Sequence, residues 1–342
     1  MLSVANVLFT VAGLLVLISI LQPLSARLNV PSTVLLAVVG VLIGVGAALL
    51  LHSSVTNAFN GLAELILDFP ISSVEFLYIF LPILLFEAAL MIDVRRIAED
   101  SAAILMLAVV AVLVTTAVVG LALAPLAPVP LAACFLFASI IATTDPSAVV
   151  GIFRDIGAPG RLSRLVEGES LLNDATAIAI FTVLLDFLMT HRDIGAGGGV
   201  MIFLIEAAGG ALVGFVGGRL VMWIVPLLRD SRLSEMTLTL ALPYLVYIFC
   251  ELYTEFSGVV AVVTAGLVVS ALGRSRLSPA SRDFLHEVWA QLAFWASSLV
   301  FILASMLVPR LLIGLQLYDL LLIAVAAIAA LVARALVLFG LL

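Results

Sequence analysis

Runs of about twenty apolar residues, separated by proline- or glycine-bearing connections, recur from one end of this chain to the other. A hydrocarbon core about 30 Å thick is crossed by roughly 20 apolar residues of α-helix. Inside it the backbone must satisfy its own hydrogen bonds, which leaves the helix as the default for such runs. Eleven runs qualify: 4–22, 33–51, 75–93, 101–124, 131–150, 166–190, 200–226, 236–255, 257–273, 286–308 and 317–342. The stretches "NVPS", "APLAPVP", "GAPGR", "GAGGG" and "RLSP" punctuate them. The weakest boundary is "TEFS" at 254–257, and the segment 52–74 is too short and polar to span and is expected to lie as an interfacial helix.

Composition agrees. Hydrophobic residues make up 64% of the 342 and charged residues 11%, whereas soluble domains carry about half and a quarter. The formal charge of −7 comes from too few groups to form a patch, so it gives no argument for a nucleic-acid partner. The first run lacks a basic flank and an A-x-A site, and reads as a span rather than a cleaved leader. Cys134 and Cys250 lie within apolar runs without C-x-x-C spacing and read as inert buried thiols.

All fifteen basic residues are arginine. Connections after odd-numbered runs hold Arg27, Arg95, Arg96, Arg154, Arg161, Arg164, Arg229, Arg232, Arg274, Arg276 and Arg282; those after even-numbered runs hold only Arg192 and Arg310. By the positive-inside rule the first set is expected in the cytoplasm, with the N-terminus outside. Arg219 falls a turn short of its span's end and can snorkel. Arg334 lies deep within "IAVAAIAALVARALVLFGLL" and needs an anion inside the protein.

Three polar constellations interrupt the apolar runs. In "SIIATTDPSAVVGIF", residues 139–153, Asp145 lies mid-span and Pro146 follows it. Proline lacks a donor and disfavours helix at the residue before it, so the backbone near Thr144 and Asp145 is expected to unwind. A simple kink, with the carboxylate satisfied by threonine hydroxyls, is the blander reading. In "EGESLLNDATAIAIF", residues 167–181, Ser170, Asn173, Asp174 and Ala177 share one helical face, and Glu169 flanks it. Asp174 has no basic neighbour in sequence, whereas a hydroxyl and an amide sit beside it. That suits oxygen coordination of a small hard cation better than a salt bridge. A carboxylate in a low dielectric also takes up a proton more readily, so proton and cation would compete for the same oxygens. In "LLFEAALMID", Glu87 lies about two turns inside its span, while Asp93 is a solvated helix-end charge beside Arg95 and Arg96. Glu167 near Arg164, and Glu251 and Glu255 near the other face, read as solvated. His52, His191 and His286 fall in connections or at span ends, and no HExxH, phosphate loop or G-x-S-x-G elbow occurs, so an enzyme is a weak hypothesis.

"TTDPSAVVGIF" followed by "EGESLLNDATAIAIF" resembles the bacterial NhaP-type sodium/proton antiporters, relatives of the animal sodium/hydrogen exchangers. "LLFEAAL", "SGVVAVVTAGLVVS", "LAFWASSLVFILASMLVP" and the arginine of "VARALVLF" fit the same family in the same order. The resemblance implies an all-α polytopic fold of thirteen helices built from inverted repeats, with two broken helices crossing at mid-membrane. About eleven of the thirteen are present in this chain. It implies core elements at about 75–190 and 286–342 and dimerisation or linker elements at about 1–51 and 200–273, all within one transporter domain. Carried over, Asp174 becomes the ion- and proton-binding carboxylate, with Ser170, Thr144 and Glu87 completing a sodium site. Asn173 stands where the electrogenic branch has aspartate. Asp145 compensates helix ends at the crossing, and Glu169 pairs with Arg334.

The expectation is therefore a homodimeric antiporter in a bacterial inner membrane. It would exchange sodium (lithium or potassium being open) for protons, one for one, without a cofactor. The alternatives are a potassium-selective exchanger and a truncated or regulatory homologue that does not transport. A channel fits less well, since a carboxylate alternating between proton and ion suits exchange. The resemblance also implies two helices beyond Leu342, so residues 1–342 alone are expected not to transport.

Overall fold

A computed structural model describes residues 4–28, 30–52, 73–92, 94–144, 149, 153, 157–190, 196–228, 231–312 and 314–341. These form eleven α-helices, one per apolar run: α1 (Val4–Leu28), α2 (Ser32–His52), α3 (Ser73–Met91), α4 (Val94–Leu123), α5 (Leu131–Ile140), α6 (Gly160–Thr190), α7 (Ala196–Ile224), α8 (Arg232–Tyr253), α9 (Gly258–Arg276), α10 (Pro279–Leu312) and α11 (Leu317–Leu341). A single 3₁₀ turn, Val225–Leu228, follows α7. Among the described residues, nine helices are long and apolar enough to cross a membrane. The chain is an all-α, multi-pass membrane protein. The expected interfacial helix at 52–74 falls, apart from its ends, outside the described residues.

The breakers act through identifiable caps. Pro130 precedes α5, and its carbonyl accepts from the amides of Ala133 and Cys134. Pro279 opens α10, where a missing amide hydrogen costs nothing. Ser278 just before it accepts the Ser281 amide at 3.1 Å. Between α8 and α9 only Thr254–Ser257 intervene, yet both ends are held: Ser257 Oγ accepts the Val260 amide at 3.3 Å, and Glu251 Oε1 accepts the Gly258 amide at 3.2 Å. Glu251 thus caps α9 rather than standing merely solvated. Gly314, with φ +93°, turns the chain between α10 and α11.

Packing groups the chain into two compact units. The first holds residues 1–84 and 287–315, with Leu14, Ile18, Leu36, Phe80, Ile302 and Met306 in its core. The second holds residues 85–286 and 316–342. There α4 packs against α5, α6 and α11, while α7, α8 and α9 form a neighbouring group. The Tyr318 hydroxyl at the start of α11 donates to the Leu126 carbonyl between α4 and α5. These packing units are not the core and dimerisation elements named above, which are defined by function.

Helices α7 and α9 lie backbone to backbone. Gly210, Gly214 and Gly218, spaced four apart, face Ser257, Ala261 and Ala265 in turn, so the two helices run the same way. Without a hydrophobic drive between helices in lipid, such close contact of small residues supplies the attraction. A side chain at Gly214 would drive its Cβ into the Ala261 carbonyl, which is backbone and cannot swing aside. Gly214→Val is expected to destabilise the protein by about 2–3 kcal/mol, read as a lowered unfolding temperature in detergent. Gly46→Val, with open space around its Cβ, is the control and is expected to change little.

Candidate functional site

Helix α5 stops at Ile140, and residues 141–144 continue without helical structure. Proline at 146 explains part of this. In a continuous helix the amide of residue 146 would bond the carbonyl of residue 142, and proline has no such amide. The Ala142 carbonyl instead accepts from Arg334 Nη2 at 3.2 Å. The same nitrogen donates to Thr144 Oγ1 at 2.6 Å, and Nη1 donates to Glu169 Oε1 at 3.1 Å. One guanidinium on α11 therefore binds the frayed end of α5 and a carboxylate on α6. The side chains of Arg334 and Glu169 are 23% and 13% exposed, so the pair is largely withdrawn from solvent.

Helix α6 runs unbroken past this point and carries Glu169, Ser170, Asn173 and Asp174. Ser170 Oγ donates to the Thr144 carbonyl at 3.2 Å, a second tie to the unwound segment. Asn173 is fully buried, and its Nδ2 donates to Glu169 Oε1 at 3.1 Å. Glu169 Oε1 thus receives two donors, one charged and one neutral. The Asn173 Oδ1 is buried with no hydrogen-bond partner among the described residues. Asp174 is half-buried, one residue after Asn173 and one turn beyond Ser170. Ala177, the next position on that face, packs with Val112 of α4 and Ala142.

The structure thus brings Thr144, Glu169, Ser170, Asn173 and Arg334 into one connected network, with Asp174 on the same face of α6. Glu87 is half-buried on α3 and hydrogen-bonds to none of them among the described residues. Its neighbours Phe86 and Ala89 pack against Gly266 of α9. Asp145 and the side chains of Arg164 and Glu167 lie outside the described residues. The part not anticipated from sequence is the Ala142 carbonyl. The signal was present, in a proline four residues downstream that leaves that carbonyl without its helical donor.

Chemically, Thr144 Oγ1 and the Ala142 carbonyl are taken up by the guanidinium. The same face of α6 offers further oxygens in the Ser170 hydroxyl, the Asn173 amide oxygen, unbonded among the described residues, and the Asp174 carboxylate. Hard cations prefer such donors. Among the described residues no three of histidine, cysteine, aspartate and glutamate converge as a metal cluster.

Known proteins can now be set beside this geometry. The chain is 33% identical over 232 residues to the Na(+)/H(+) antiporter NhaH of Halobacillus dabanensis, covering 67% of this chain and 57% of that protein. It is 32% identical over 284 residues to the Na(+)/H(+) antiporter NhaG of Bacillus atrophaeus, covering 82% of this chain and 52% of that one. The chain spans about half the length of these curated relatives. Among solved structures, the sodium proton antiporter MjNhaP1 from Methanocaldococcus jannaschii at pH 8 superposes with a TM-score of 0.72 over 98% of this chain and 78% of its own. At 20% identity that likeness speaks for the fold. Residues 13–342 match the family described as the transmembrane part of sodium/hydrogen exchangers, and the chain belongs to that family.

Proposed function

We propose that the protein containing this chain is a secondary transporter, not an enzyme. It exchanges sodium for protons across a bacterial inner membrane as a homodimer with its N-terminus outside. The observation that carries the reading is the Arg334 clamp. It ties the broken end of α5, through Ala142 and Thr144, to Glu169 on the helix that bears Ser170, Asn173 and Asp174. The clamp satisfies Arg334 and Glu169 by each other, two charges that would be costly at membrane depth if unpaired. Asp174 then serves as the carboxylate that alternates between a proton and a cation. Ser170, Thr144 and, from α3, Glu87 would contribute to the cation's oxygen shell, and Asp145 would balance the helix ends. No cofactor enters this reading; sodium and protons are substrates.

Asn173 carries the stoichiometric part. With a neutral amide beside Asp174, one carboxylate exchanges, so one proton leaves as one cation binds and no net charge moves. In everted vesicles holding the full-length protein, adding sodium is expected to release protons across a pH series. The rate is expected to be the same with and without an imposed membrane potential. No response to sodium or potassium would sink the transporter reading, and a rate that follows the potential would overturn the one-for-one exchange. The same assay with potassium alone decides between the two cations.

A further inference from the structure

Arg219 stands apart from the network above. It lies within α7, inside the membrane-spanning stretch Leu204–Leu228, and is exposed, with no carboxylate partner among the described residues. An arginine facing lipid is costly unless it reaches an interface or an anion. It does not stand alone: Arg276 of α9, also exposed, lines the same groove, which encloses about 340 Å³. The groove exists because the small-residue contact between α7 and α9 ends. After Gly210, Gly214 and Gly218, the next position in the row is Met222, buried at 1% exposure. Here glycine gives way to a long side chain. Phe215, Val216, Trp223 and Leu272 wall the groove around the two guanidiniums, and among the described residues no carboxylate lines it.

Two like charges beside one another in an apolar groove repel unless an anion sits with them. The groove lies toward the C-terminal ends of α7 and α9, the end at which the sequence also carries Arg229, Arg232, Arg274 and Arg282. The positive-inside rule sets that end against an anionic leaflet. We propose that this groove is a binding site for an anionic glycerophospholipid. Its phosphate is held by Arg219 and Arg276, and its chains lie against Phe215 and Trp223. Guanidinium forks match phosphate oxygens, and the tryptophan belongs at the headgroup level. The proposal is independent of the transport reading and of Asp174.

The test is lipid titration of the full-length, delipidated protein in detergent, read by bound-lipid peaks in native mass spectrometry and by unfolding temperature. Phosphatidylglycerol is expected to bind and to raise the unfolding temperature, while phosphatidylcholine and inorganic phosphate do neither. Arg219→Gln with Arg276→Gln is expected to weaken phosphatidylglycerol binding roughly thirtyfold, given the attraction of each arginine to an anionic lipid. Arg219→Lys with Arg276→Lys, which keeps both charges, is expected to retain most of the binding and guards against a variant that fails to fold. Equal phosphatidylglycerol binding by wild type and the glutamine pair would overturn the site. Inorganic phosphate matching the lipid would overturn the lipid as its source. A Trp223→Cys variant that crosslinks to a second copy of itself would assign the groove to a protein partner instead.

Discussion

Replacing Asp174 by asparagine in the full-length protein is expected to reduce sodium-driven proton flux to the background of empty vesicles, a loss of at least about a hundredfold. The substitution keeps the shape and removes the group that can carry either a proton or a positive ion. The Arg334 guanidinium has its anion in Glu169, so its charge pairing survives the substitution. Folding, detergent-extracted yield and elution volume should therefore match the wild type. That combination separates an exchanging carboxylate from a structural one. A variant that still moves protons at a tenth of the wild-type rate would place the exchanging group elsewhere, with Glu87 next to be tested. A Ser170→Ala variant should lose less, since water can replace a hydroxyl in an oxygen shell.

The second large effect concerns stability. Arg334→Leu is expected to destabilise the protein by about 3–5 kcal/mol, because it leaves Glu169 withdrawn from solvent without its charge partner. It also orphans the acceptors on Ala142 and Thr144. Glu169→Gln should cost less, since Arg334 keeps those two acceptors and the new amide can still bond Asn173. Combining Glu169→Gln with Arg334→Leu removes both charges together, so the double variant should be more stable than the sum of the single losses. Unfolding midpoints of the purified variants give this cycle directly. Strictly additive losses would mean that the 3.1 Å contact contributes no coupling.

Much of the architecture is visible in the sequence, because the bilayer fixes a single length scale and each run of apolar residues answers to it. Helix ends are less visible. The run at 286–308 lies within a helix of residues Pro279–Leu312, and that at 101–124 overlaps Val94–Leu123. Hydropathy reports the part immersed in lipid, whereas a helix continues until its amides and carbonyls find a cap. The opposite error occurs at 131–150, where apolar content persists but the helix stops at Ile140. There the missing donor of Pro146 and an arginine 192 residues from Ala142 decide the matter, and no local pattern encodes the second. The face of α6 that carries Ser170, Asn173 and Asp174 follows from helical spacing. The double use of Glu169 Oε1, by Asn173 and by Arg334, needs coordinates. Glu251 shows the same limit: its cap on Gly258 depends on a turn too tight to foresee from "TEFS".

The Arg334 clamp also sets a schedule for biosynthesis. Glu169 enters the translocation machinery 165 residues ahead of its arginine. At ordinary elongation rates that separation lasts roughly 10 to 30 seconds. During this interval α6 carries an uncompensated acid, and the frayed end of α5 has acceptors but no guanidinium. A nascent chain in that condition is better kept beside the translocon, or held protonated, than released sideways into lipid. The last helix of this chain to be made is thus the one that neutralises charges laid down near its midpoint.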